Sequence, residues 1–102
     1  MKIAVAAMEN ALDGDVADRF GRCPWFLIVD SESMEFEGFE NPAANLPGGA
    51  GPTAVQSVVD RGAEVLIASE LGPKAQQAAA AAGIRAVVAT GSIREAISQL
   101  NK

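Results

Sequence analysis

The segment RFGRCPWF, residues 19–26, gathers the chain's one cysteine, Cys23, and two of its eight basic residues, Arg19 and Arg22. A thiol beside guanidinium groups can be activated as a thiolate or can ligate a soft metal, and neighbouring arginines suit an anion. The chain has no histidine, which excludes a zinc site of the usual Cys/His kind and a cysteine nucleophile served by an imidazole base. A metal would therefore have to arrive in a preassembled cluster, with Cys23 as its one candidate thiolate ligand. Two glycine-bearing segments add a second kind of chemistry. GGAGP (48–52) carries Gly48, Gly49 and Gly51, and ELGP (70–73) carries Gly72. Each runs into a helical pattern, and glycine lets an anion approach the unpaired N–H groups of a helix start. GGAG lacks the GK[ST] of a P-loop and the full Rossmann pattern. The same residues also fit plainer roles: Cys23 as a small core residue, Arg19 and Arg22 as surface partners of Asp15 and Asp18, GGAG as a turn, and the aromatics Trp25, Phe26, Phe36 and Phe39 as packing.

The elements that must position these residues are legible in order. KIAVAA (2–7) is a short apolar run of strand length, and residues 8–24 lose all periodicity and form a long loop ending in the RFGRCP segment. WFLIVD (25–30) and EFEGFE (35–40), joined by SESM, form an antiparallel hairpin. A helix follows from about Pro52, with Ala54, Val55, Val58 and Val59 on one face and Gly62 as its stop. EVLIAS (64–69) is a buried strand and PKAQQAAAAAG (73–83) a helix with proline at its start and glycine past its end. IRAVVA (84–89) repeats the strand, and SIREAISQL (92–100) is a helix opened by a Ser92–Glu95 capping box.

The order βββαβαβα has a simple solution. The first strand pairs antiparallel with the second and the second with the third, while right-handed crossovers bring the fourth and fifth in parallel to the first. The expected fold is α/β: a ribonuclease-H-like three-layer α/β/α arrangement on a mixed five-stranded sheet of order 3-2-1-4-5, with strand 2 antiparallel. In it the RFGRC, GGAGP, ELGP and TGS segments all fall on one sheet edge. They should converge there on a hollow lined by Arg19, Arg22 and three helix N-termini, with Cys23 at its rim.

Composition narrows the occupant. Thirteen acids against eight bases give a formal charge of −5, which repels phosphate backbones and anionic lipid. No nucleic-acid or membrane partner is expected. No apolar run approaches the ~20 residues of a membrane span, and MKIAVAA lacks the parts of a signal peptide, so the expectation is a cytoplasmic protein. Residues 1–102 are expected to form one domain. The acids of EFEGFE guard an edge strand against pairing, which points to a monomer.

MKIAVA, FGRCPWFLIVD, ENPA, GGAG and AAGIRAV, in register along almost the whole chain, resemble the dinitrogenase iron–molybdenum cofactor family. The resemblance implies a ribonuclease-H-like fold and a site for a sulfidic metal cluster. It places Phe20, Gly21, Arg22 and Cys23 on the family's FGR(C) motif and Gly48, Gly49 and Gly51 on its glycine-rich loop. Cofactor-carrying members commonly have histidine immediately before the FG pair. Arg19 stands there in this chain, so imidazole ligation is replaced by a positive charge.

The function expected from residues and resemblance together is non-enzymatic: a carrier or scaffold for an anionic metal–sulfur cluster, of iron–molybdenum, iron–sulfur or molybdenum–copper sulfide type, during cofactor assembly or storage. Its partners would be the metallocluster and cofactor-assembly proteins. The alternative is a protein-interaction module in the same assembly with no cluster of its own. A nuclease is disfavoured because magnesium needs carboxylates on the strands, and KIAVAA has none.

Overall fold

The structure is a computed structural model and describes residues 1–100; the last two residues of the expected 1–102 domain lie outside the described residues. Five strands, β1 (Lys2–Ala7), β2 (Trp25–Asp30), β3 (Phe36–Glu40), β4 (Val65–Ala68) and β5 (Arg85–Val88), alternate with three helices, α1 (Ala50–Val59), α2 (Pro73–Ala82) and α3 (Ile93–Leu100). They form one sheet of order β3-β2-β1-β4-β5. Strand β2 runs antiparallel to both β1 and β3, whereas β4 and β5 run parallel to β1. The expected topology is observed.

The centre of the sheet is buried on both faces, because the period-2 alternation of β1 serves two different layers, while the edge strands β3 and β5 stay largely exposed. Ala4 and Ala6 pack with Phe26, Leu66, Ala54, Val55, Val58, Ala75 and Ala79 beneath α1 and α2. Ile3, Val5 and Ala7 pack with Leu27, Val29, Ile67, Ile93 and Ile97 beneath α3. Small residues dominate the first face, so α1 and α2 can approach the sheet and each other closely. A β-carbon added to Gly51 would stand 3.1 Å from that of Ala75, which places the two helix starts side by side.

The long loop from 8 to 24 crosses from one face to the other. Leu12 and Val16 belong to the α3 core, and Ala17, Phe20 and Cys23 to the α1–α2 core. Helix α1 starts at Ala50, two residues earlier than Pro52 suggested, because Gly49 adopts φ +70° and turns the chain into the helix before the proline. Among the described residues no helix is long and apolar enough to cross a membrane.

Candidate functional site

A cleft of about 470 Å³ opens where the loop after β1 meets the starts of α1 and α2. Its walls are Arg19–Arg22, Gly49–Pro52, Glu70 and Gly72–Ala75. Arg19, Phe20, Gly21, Arg22, Gly49, Gly51 and Gly72, all expected at the site, are brought together here. Gly48 lies just outside this lining, and Cys23 borders a neighbouring hollow of about 230 Å³ that shares Arg19 and Arg22 with the cleft. Three cations, Arg19, Arg22 and Lys74, stand against one acid, Glu70, so the cleft is electropositive in an acidic chain.

The helix starts reinforce that sign. Neither α1 nor α2 has a side-chain cap or an acid in its first turn, and their first intrahelical bonds run from Thr53 to Gly49 and from Gln76 to Gly72. Pro52 and Pro73 carry no N–H. The amides of Ala50, Gly51, Lys74 and Ala75 therefore find no acceptor among the described residues, and the positive ends of both helix dipoles go uncompensated. Glycine keeps these donors uncovered. A β-carbon on Gly21 would stand 3.2 Å from the Gly51 nitrogen, while at Gly49 and Gly72 a β-carbon would meet nothing within 4 Å.

Two anchors, one half-buried and one buried, shape the loop that carries Arg19 and Arg22. The Ser69 hydroxyl, just past β4, lies 2.7 Å from the carbonyl oxygens of Ala17 and Asp18 and donates to this pair. Asn41, the one buried polar side chain among the described residues, donates from Nδ2 to the carbonyls of Gly21 at 3.1 Å and Cys23 at 3.0 Å, while its Oδ1 accepts from Ala43 N–H at 2.9 Å. Phe20 turns inward and packs against Phe26 at a tilt of 54°, ring centroids 5.4 Å apart. Arg22 reaches sideways, and its Nη1 donates to the carbonyls of Ala44 at 3.0 Å and Leu46 at 2.6 Å.

Cys23 is only 2% exposed. Its thiol donates to the Trp25 carbonyl at 3.3 Å, and burial pushes it up to about 12, offset only in part by hydrogen bonds from the Ala7 backbone and Asn41. At neutral pH the sulfur is a protonated core group, and a thiolate would form there only with rearrangement.

The expected convergence holds for three of the four loops. The fourth, TGS, lies at the same end of the sheet but on the α3 face. There the loop after β1 fills it: Val16 N–H donates to Gly91, Ile93 N–H donates to Gly14 at 3.2 Å, and Arg94 pairs with Asp13 at 2.6 Å. The three expected helix termini are therefore two. Lys74 is the site residue that the sequence reading missed. A cation in a first turn opposes the helix dipole, and that mismatch beside ELGP is the signal that marks it. A hollow of about 450 Å³ at the Lys2–Asp30 end of the sheet offers no comparable chemistry, being lined by both signs of charge, with Arg61 engaged by Phe39 and Glu37.

The fold is a mixed α/β sheet of ribonuclease-H-like order, and it sets two open helix starts and a cationic rim around one cleft. The chain matches the dinitrogenase iron–molybdenum cofactor family over residues 1–102 and belongs to that family. It is similar to the apo orange protein of Desulfovibrio gigas, with a TM-score of 0.92 and 40% identity over 98% of this chain and 86% of that one. A NifB-like protein from Thermotoga superposes with a TM-score of 0.80 at 38% identity, over 98% of this chain and 86% of that one. An uncharacterized protein of Methanocaldococcus jannaschii is 36% identical over 101 residues, 95% of this chain and 82% of the relative.

Proposed function

We propose that this protein is a non-enzymatic carrier or scaffold that holds an anionic metal–sulfur cluster in the cleft between the RFGR loop and the starts of α1 and α2, for assembly or storage of a metallocofactor. The observation that carries the reading is the pairing of two uncapped, acid-free helix starts with Arg19, Arg22 and Lys74 around one cleft. Membership of a family named for the iron–molybdenum cofactor and likeness to the orange protein support the cargo class: an iron–molybdenum, iron–sulfur or molybdenum–copper sulfide.

Retention is electrostatic in this reading. Backbone N–H groups and cations face the bridging sulfides, and the buried thiol of Cys23 contributes packing. Residues 1–102 act as one domain, and cofactor-assembly proteins would load and unload it. Anaerobic reconstitution with iron, sulfide and tetrathiomolybdate, followed by desalting, tests the proposal. Wild type and Cys23→Ser should both emerge coloured, with colour lost from an Arg19→Glu/Lys74→Glu double variant. A colourless wild type would end the carrier reading, and selective loss in Cys23→Ser would make the thiol a ligand.

A further inference from the structure

The three cations of the cleft are not in equivalent situations. Arg19 and Lys74 are exposed and have no hydrogen-bond or ion-pair partner among the described residues. Arg22 instead directs both protons of Nη1 to carbonyl oxygens of the 41–49 loop, Ala44 at 3.0 Å and Leu46 at 2.6 Å. We infer that Arg22 is a positioning residue, a clamp that fixes the loop leading into α1, while Arg19 and Lys74 supply the charge that meets the anion. The division of labour rests on the carrier reading above; the clamp itself does not.

The loop needs such a clamp. It is turned internally by the Ala44-to-Asn41 and Leu46-to-Ala43 backbone bonds. After Leu46 the chain runs through Pro47, Gly48 and Gly49, all exposed, and a β-carbon at either glycine would meet no atom within 4 Å. Two consecutive glycines without neighbours have wide conformational freedom, yet Gly49 holds φ +70° where the chain enters α1 at the cleft wall. Packing of Gly51 on Ala75 fixes the helix from one side. From the other, Asn41 and Arg22 tie the loop to the RFGRC segment, Asn41 at its base and Arg22 at its middle. A planar guanidinium nitrogen can bridge two carbonyls in fixed geometry. A lysine ammonium is shorter and more strongly hydrated, so it keeps the charge and loses the bridge.

The clamp is tested first in the apo protein, by amide hydrogen exchange measured by NMR. Arg22→Ala and Arg22→Lys should each raise exchange at Ala44, Leu46 and Thr53 at least tenfold and leave Gln76 and Ala96, at the starts of α2 and α3, unchanged. Tetrathiomolybdate titrations at several ionic strengths then separate the roles. Arg22→Lys should raise Kd about tenfold at every ionic strength with an unchanged salt slope, whereas Arg19→Ala and Lys74→Ala should flatten the slope without altering exchange. Wild-type exchange and wild-type Kd in Arg22→Lys would overturn the inference and make Arg22 a simple charge. If wild type binds no tetrathiomolybdate, the carrier reading falls alone, and the exchange result still decides for or against the clamp.

Discussion

Helices α1 and α2 begin on glycine, with no side-chain cap and no acid in the first turn, whereas α3 begins after Ser92, whose hydroxyl accepts the Glu95 amide at 3.3 Å, with Glu95 itself in the first turn. The α3 start is further closed by the Gly14 carbonyl and the Asp13–Arg94 pair. One chain thus contains a helix start satisfied by its own residues and two left open beneath cations. Orphan N–H groups cost stability unless water or a ligand meets them. On the carrier proposal the open pair is the place for an anion, and the closed start is its internal control.

The largest effect should come from filling the contact that holds the open starts together. Gly51→Val adds a branched side chain where even a β-carbon would stand 3.1 Å from Ala75. It should cost about 2 to 3 kcal/mol in urea denaturation and separate the two amide sets; a neutral result would mean that the helix starts are not packed as described. Next in size is the thiol behind the cleft. Burial pushes it up from the ordinary 9.0 to about 12, so between pH 9 and 12 the unfolded state loses its proton first and the native state is penalised. Stability should fall by up to ~1.4 kcal/mol per pH unit across that window relative to Cys23→Ala. Parallel pH profiles for the two proteins would show that the thiol is not sequestered.

Smaller changes separate the two kinds of helix start directly. Ser92→Ala removes a cap and should cost about 1 kcal/mol of stability while leaving tetrathiomolybdate affinity within twofold of wild type. Lys74→Ala should do the reverse, gaining about 0.3 to 1 kcal/mol in thermal or urea unfolding by removing a cation from a helix N-terminus, and weakening anion binding. If Lys74→Ala destabilised the apo protein instead, Lys74 would be a structural partner of Glu70 and not a charge held ready for a guest.

The strand order was legible because each element has its own boundary chemistry: Ile, Val and Ala runs of strand length, proline at helix starts, Gly62 and Gly83 at helix ends. The convergence of Arg19–Arg22 with Gly49, Gly51 and Gly72 followed from that topology. What the topology cannot carry is the face of the sheet. TGS shares an edge with the other loops, but the loop after β1 crosses the edge and splits it, leaving Val16 on one face and Phe20 on the other. The capping box at Ser92 was the local sign that this terminus was already satisfied. Side-chain direction was likewise beyond reach of the sequence pattern. Cys23 and Arg22 are adjacent in an irregular loop, where no period dictates that one sulfur should turn into the core and one guanidinium should turn toward Ala44 and Leu46.

Titrating ¹⁵N-labelled protein with tetrathiomolybdate under anaerobic conditions, while following the backbone amides, shows whether the starts of α1 and α2 take the anion and the start of α3 does not. Saturable shifts are expected at Ala50, Gly51, Lys74 and Ala75, with Ile93 to Ala96 unmoved. Shifts of equal size at α3, or saturable binding that leaves the α1 and α2 amides in place, would contradict it.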